Sequence, residues 1–261
     1  MNTQFWGPSG WQFLHTLVNI YPVKPNMTEK MIMRDFMGLI SDVLPCKYCR
    51  ASFTKYSESL DITPYLDSDI LMQEWLYRMH NKVNGKLRRQ GFCTIENPTL
   101  ESVIAKYDRL GKDAMTKLDT AKKMITYMYK IGFDFLGSIV FNYQGYFVNC
   151  HTSEEKVKIV SSYHKFFNIL PKIITMYMKV PLLETKKIKI RSILQHNEPY
   201  TQLKKWFWGC EHWGMDYEEF EKHFNKHIVN TCNTTIDDKV KSCRKLSKKY
   251  VKTRSHILDR T

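Results

Sequence analysis

Two cysteines stand three positions apart in Leu44-Pro45-Cys46-Lys47-Tyr48-Cys49-Arg50. On one helical turn such thiols can close into a redox-active disulfide. Pro45 suits a first helical turn, where a missing N–H costs nothing. The unpaired N–H groups and positive dipole end of a helix starting there favour a thiolate. Lys47 and Arg50 add positive charge. The competing chemistry for a C-x-x-C is half of a tetrahedral zinc site. Zinc needs a second ligand pair, and Cys93, Cys150, Cys210, Cys232 and Cys243 form no second C-x-x-C. Cys210 and His212 lie far downstream, so no metal site is assigned and redox chemistry leads.

Two further groups carry polar or flat side chains at helical spacing. Trp11 and His15 are four apart on a segment whose apolar positions also include Leu14 and Val18. His80 and Asn84 are four apart in Trp75-Leu76-Tyr77-Arg78-Met79-His80-Asn81-Lys82-Val83-Asn84-Gly85-Lys86-Leu87. Lys86 stands near the end of that segment, able to reach a phosphate. Polar groups on an apolar face are costly unless paired. Read alone, Trp11 and His15 fit a core-facing helix with one hydrogen-bonded histidine as well as a grip on a flat ligand. The second segment points to a polar ligand lying between helices.

The elements that must position these groups read as helices. Pro8 and Ser9 suit the start of the first, and Pro22 follows its end. Asn26 and Glu29 form a capping box for a second over 27–44, with Ile32, Phe36, Leu39, Ile40 and Val43 as its stripe. A short third helix is expected from about Cys46 to Tyr56, a fourth from about Ser68 to Leu87, and a fifth from Asn97-Pro98-Thr99 to about Leu110. Five short helices in so few residues give a compact bundle.

Beyond that, helical patterns fall at about 112–131, 153–170, 182–196, 199–209, 216–229 and 233–252, punctuated by Pro171, Pro181 and Pro199. The stretch 137–148 is rich in β-formers, so a strand pair and a buried helix are both open there. Trp206, Phe207, Trp208 and Trp213 read as core, with a protein-binding hot spot as the sharper alternative. The expected fold class is all-α in the main.

The chain has 261 residues and a net charge of +14, enough for one large or two ordinary domains. Residues 1–111 hold 13 basic and 11 acidic side chains, and residues 112–261 hold 27 and 15. That break supports a boundary near Gly111, with domains over 1–111 and 112–261. A basic second half meets nucleic acid, an acidic partner or an anionic surface, or is simply a solvated lysine-rich surface. The run of eight cations from Lys239 to Arg254 sharpens that choice without deciding it. No apolar run approaches the ~18 residues that span a bilayer. The N-terminus lacks the basic and apolar regions of a secretory signal. Seven cysteines do not make a dense disulfide framework, so the expectation is a protein made in a reducing compartment that handles disulfides.

Taken together, Trp11-x-x-x-His15-Thr16-Leu17, Pro45-Cys46-x-x-Cys49 and Trp75-Leu76-x-x-x-His80-Asn81-x-Val83-Asn84-x-Lys86-Leu87 make residues 5–110 resemble the Erv/ALR family of FAD-linked sulfhydryl oxidases. Trp6-Gly7-Pro8 and the long unmatched remainder resemble the versions of large DNA viruses. The resemblance implies a four- or five-helix FAD-binding bundle, usually paired as a homodimer. It implies that a substrate dithiol attacks a Cys46–Cys49 disulfide, with Cys46 exposed and Cys49 against the flavin. Electrons then pass to FAD and to O2, giving hydrogen peroxide. It carries over Gly7, Trp11, His15, Tyr21, His80, Asn81, Val83, Asn84, Lys86 and Leu87 as FAD contacts.

There are departures. Tyr77 stands where cellular members have a cysteine, leaving Cys93 without that mate, and no second shuttle pair is present. A viral origin would place the protein in the host cytoplasm or the virion. The alternative function is a binding protein acting through its basic second half on a flavin-free scaffold. A thioredoxin-type reductase would need strand–helix alternation around its C-x-x-C, and none is read here.

Overall fold

The computed structural model of the chain describes residues 2–92, 96–117, 121–148, 152–177, 199–211 and 213–228. Among the described residues every regular element is helical. The expected helices over 182–196 and 233–252, the basic run from Lys239 to Arg254, and Cys93, Cys150, Cys232 and Cys243 lie outside them.

Helix α1 spans Thr3–Asn19. It starts earlier than Pro8, because the Asn2 side chain caps it by accepting from the Gln4 N–H at 3.0 Å. Pro8 therefore lies inside the helix. Phe13, Leu14, Leu17 and Val18 form its buried stripe. Helix α2 spans Met27–Val43 and opens on the expected capping box. The Asn26 side chain accepts from Glu29 N–H at 3.0 Å, and Glu29 accepts from Asn26 N–H at 2.7 Å. Helix α3 spans Lys47–Glu58 with Cys46 at its N-cap. A short 3-10 turn at Thr63–Tyr65 leads to helix α4 over Asp69–Arg89, capped by Ser68.

Helix α5 spans Leu100–Lys117 and runs unbroken through Gly111. Helices α6 (Ala121–Ile131), α7 (Phe133–Val148), α8 (Ser153–Tyr177), α9 (Pro199–Trp208) and α10 (Tyr217–Asn225) complete the described chain. The β-rich stretch is the helix α7. Phe135, Leu136, Ile139 and Val140 in it are all fully buried and every residue over 135–143 is buried, and a helical stretch buried all round needs no polar face. Pro171 does not end α8 but sits inside it.

The later helices fold back on the first two. α2 lies along α8, where Phe36 stacks on Phe166 at 5.4 Å and the Tyr177 hydroxyl donates to the Glu29 carbonyl. α1 packs against α7 as well as α4, α5 and α6. One apolar cluster accordingly extends from Trp6 to Phe224. Phe207 is fully buried within it, Trp206 and Trp213 pack on its edge, and Trp208 stands partly in solvent.

Candidate functional site

The redox pair sits at the amino end of α3. Cys46 N-caps the helix in extended conformation, and its carbonyl accepts from the N–H groups of Cys49 at 3.0 Å and Arg50 at 2.9 Å. The Arg50 guanidinium reaches back to donate to the Leu44 carbonyl at 2.7 Å, fixing the turn before the pair. Cys46 and Cys49 stand as thiols joined by a hydrogen bond. Burial works against ionising Cys46, but hydrogen bonds from the Cys49 side chain and backbone outweigh it and bring Cys46 down to about 6. Cys49 is pushed well up, first by its hydrogen bond to Cys46 and then by burial, with Lys86 and Arg50 opposing. The two thiols therefore titrate as a pair, the first proton leaving more readily and the second held back.

Cys46 is 1% exposed, not open to solvent as the resemblance implies. The reason is local. Its neighbours Val43, Leu44 and Pro45 are buried too, so the turn into α3 lies in the core.

Cys49 lines a cavity of about 430 Å³, within the ~300–1,000 Å³ usual for cofactor clefts. On α3, Ser52 and Phe53 follow Cys49 by three and four residues and share its wall. On α4, His80, Val83, Asn84 and Leu87 fall at the same helical spacing and form the facing wall, with Lys86 beside them. α1 contributes Gly7 and Trp11, also expected at the site. Lys86 donates to Ser52 Oγ at 2.6 Å, and Asn84 Nδ2 to Asn97 Oδ1 at 3.1 Å.

Trp11 and His80 do not flank an open slot. Their rings lie on each other at 3.8 Å and 9°. His15 stands behind His80 rather than at the cavity. Its Nε2 shares a hydrogen bond with His80 Nδ1 at 3.3 Å, and its ring stacks on Tyr107 at 4.6 Å. Burial foremost, then His80 and Lys106, lowers His15 to about 3, and burial with Lys106 lowers His80 to about 4. Both are neutral at neutral pH, so one donates and the other accepts. Asn81 is half-buried and does not line the cavity. Tyr21 does not line it either. Its hydroxyl donates to the Leu66 carbonyl at 2.9 Å and its ring meets Tyr177 edge-on.

Several lining residues were not singled out from sequence: Thr3, Ser52, Lys106, Tyr107 and Phe135. For Ser52, the three-residue step from Cys49 is a signal that could have found it. Among the described residues the lining holds Lys86 and Lys106 and no carboxylate, a charge balance that suits a pyrophosphate. Trp6 Nε1 and Thr3 Oγ1 are buried on residues of this wall and find no hydrogen-bond partner among the described residues. Orphaned polar atoms beside aromatic rings and two cations fit a flat, polyanionic cofactor such as FAD. Among the described residues no three metal-ligating side chains are gathered. Cys210 donates to the Trp206 carbonyl at 3.3 Å, while His212 lies outside the described residues. No described helix is long and apolar enough to cross a membrane.

The helical bundle thus sets a C-x-x-C helix against a cofactor-sized cavity. Residues 8–103 match the model of the Erv1 / Alr family. Over 86 residues the chain is 35% identical to the mitochondrial FAD-linked sulfhydryl oxidase ERV1 of Saccharomyces cerevisiae, covering 33% of this chain and 44% of that protein. It is 31% identical to the probable FAD-linked sulfhydryl oxidase R368 of Acanthamoeba polyphaga mimivirus, covering 32% and 59%. It is 29% identical to the FAD-linked sulfhydryl oxidase of African swine fever virus (isolate Pig/Kenya/KEN-50/1950), covering 33% and 70%. The chain thus spans less than half the length of the yeast relative. No solved structure matches it.

Proposed function

We propose that the protein is an FAD-dependent thiol oxidase that makes disulfides in protein substrates. The observation that carries this reading is Cys49 on the wall of a cavity whose described lining holds no carboxylate and whose facing wall holds His80, Asn84 and Lys86. Trp11, His80, Asn84 and Lys86 would hold the cofactor with Gly7, Val83 and Leu87, the lysines Lys86 and Lys106 meeting its phosphates. Bound FAD would supply a two-electron acceptor that oxygen reoxidises, with hydrogen peroxide as product.

The cysteines do the rest. Once the buried turn before α3 opens to admit it, a substrate thiolate attacks Cys46 Sγ of the Cys46–Cys49 disulfide, which breaks the S–S bond, forms a mixed disulfide and releases Cys49 as thiolate beside Lys86. A second substrate thiolate attacks the substrate sulfur of the mixed disulfide. The substrate disulfide forms and Cys46 leaves with the bonding electrons. A low leaving-group pKa speeds that step and makes the enzyme disulfide more oxidising, which is the direction the hydrogen bonds to Cys46 give. Two electrons then reside on the pair, and Cys49 is the member placed against the cavity.

The same reading has molecular oxygen as acceptor, a homodimer as the working unit, and the host cytoplasm or virion as its place, in keeping with the viral relatives. Nucleic acid as a partner of the basic second half is a separate proposal, which the run from Lys239 to Arg254 motivates. The deciding experiment is the visible absorption of the purified protein before and after a dithiol is added in air. A flavin spectrum that bleaches and recovers as oxygen is consumed supports the oxidase. A colourless protein that cannot be reconstituted with FAD sinks it.

A further inference from the structure

We infer that Phe135, beyond the family-matched segment, contacts the cofactor, and that the later helices build part of the cavity. The inference rests on the reading that this cavity takes FAD. Phe135 lines the cavity and is otherwise fully buried. Its ring lies 5.9 Å from that of Trp6 and 5.8 Å from that of Phe13. The approach of α7 to α1 depends on Gly10, where a Cβ would stand 3.0 Å from Phe135 Cδ2. Ser9 fixes the crossing: its hydroxyl donates to the Ile131 carbonyl at 2.8 Å and accepts from Phe135 N–H at 3.4 Å.

A second grip holds the amino end of α1, which brings Thr3, Trp6 and Gly7 to the wall. Phe5 stacks flat on His227 at 3.7 Å, and Asn2 N–H donates to the His227 carbonyl at 2.9 Å. His223, on the same helix end, meets Asp134 at 2.8 Å, next to Phe135. α1 supplies most of this wall and α7 adds Phe135 to it, while His223 and His227, at the end of α10, hold Asp134 and the start of α1 in place. A phenyl ring there offers only an aromatic and apolar surface, which selects a flat conjugated ring over a sugar or phosphate.

The test uses the full chain with Phe135→Leu, and with Phe141→Leu as a control from the same helix, buried but away from the cavity. Three readouts are taken: FAD affinity by equilibrium dialysis, the visible band of bound FAD, and the thermal midpoint. Phe135→Leu is expected to weaken FAD roughly five- to tenfold, the size of one aromatic contact, and to shift the band. Phe141→Leu is expected to lower the midpoint while leaving affinity and band within about twofold. Should Phe135→Leu fail to fold, Gly10→Ala, which pushes on the same ring, is expected to shift the band. Wild-type affinity and an unmoved band in Phe135→Leu overturn the inference alone. A wild-type chain that takes up no FAD overturns the cofactor reading together with it.

Discussion

At the scale of residues, the redox pair divides its chemistry by hydrogen bonding. Cys46 collects hydrogen bonds that stabilise its charge and Cys49 gives one up. In the reduced protein, the ultraviolet absorbance of the thiolate, which needs no reagent to reach the buried sulfur, is therefore expected to rise through a midpoint near pH 6, far below the ordinary thiol value; a midpoint near 9 would refute the arrangement. Cys49→Ser is expected to abolish dithiol-driven oxygen consumption while leaving FAD bound, since the change removes a reacting sulfur and little volume. The histidine pair makes a different prediction. Both rings have folded values depressed from 6.5, so their contribution to stability is full above about 6.5 and is lost as pH falls toward 4 and 3. The thermal midpoint should drop over that window, and the drop should shrink in His80→Gln. His80, Asn84 and Leu87 were legible in the sequence because four- and seven-residue steps report a helix face. Tyr21 was not: its neighbourhood is fixed by Leu66 and Tyr177, which lie distant in the chain.

At the scale of elements, local signals succeeded where one side chain acts on its own backbone. The Asn26–Glu29 box was readable, and the fourth helix begins one residue after the expected Ser68, which caps it. Prolines misled, because Pro8 and Pro171 lie inside helices that tertiary packing holds. The stretch 137–148 was ambiguous for a related reason. A run apolar on all sides has no period, so only its surroundings choose helix over strand. Those surroundings require Gly137, where an added Cβ would come 2.1 Å from Phe224 Cζ. Gly137→Ala is expected to cost about 1–3 kcal/mol, read as a thermal midpoint lower by several degrees. A midpoint at or above wild type would mean that α10 yields easily.

At the scale of the whole molecule, charge asymmetry drew a boundary near Gly111, whereas α5 passes through that residue and the apolar cluster joins both sides. Charge reports surfaces, and surfaces say little about which cores are shared. A continuous core is expected to melt as one unit, with tryptophan fluorescence and far-ultraviolet circular dichroism giving coincident transitions. Two separated transitions would mark independent halves. The clasp of Phe5 and Asn2 on His227 has a consequence in time. The chain emerges amino end first, at roughly 5–20 residues per second. The cysteine helix is therefore synthesised on the order of ten seconds before the residues that grip α1 exist. During that interval the nascent thiols are more exposed than they will ever be again, and a chaperone or a stray oxidant meets them before their own cofactor cavity is complete.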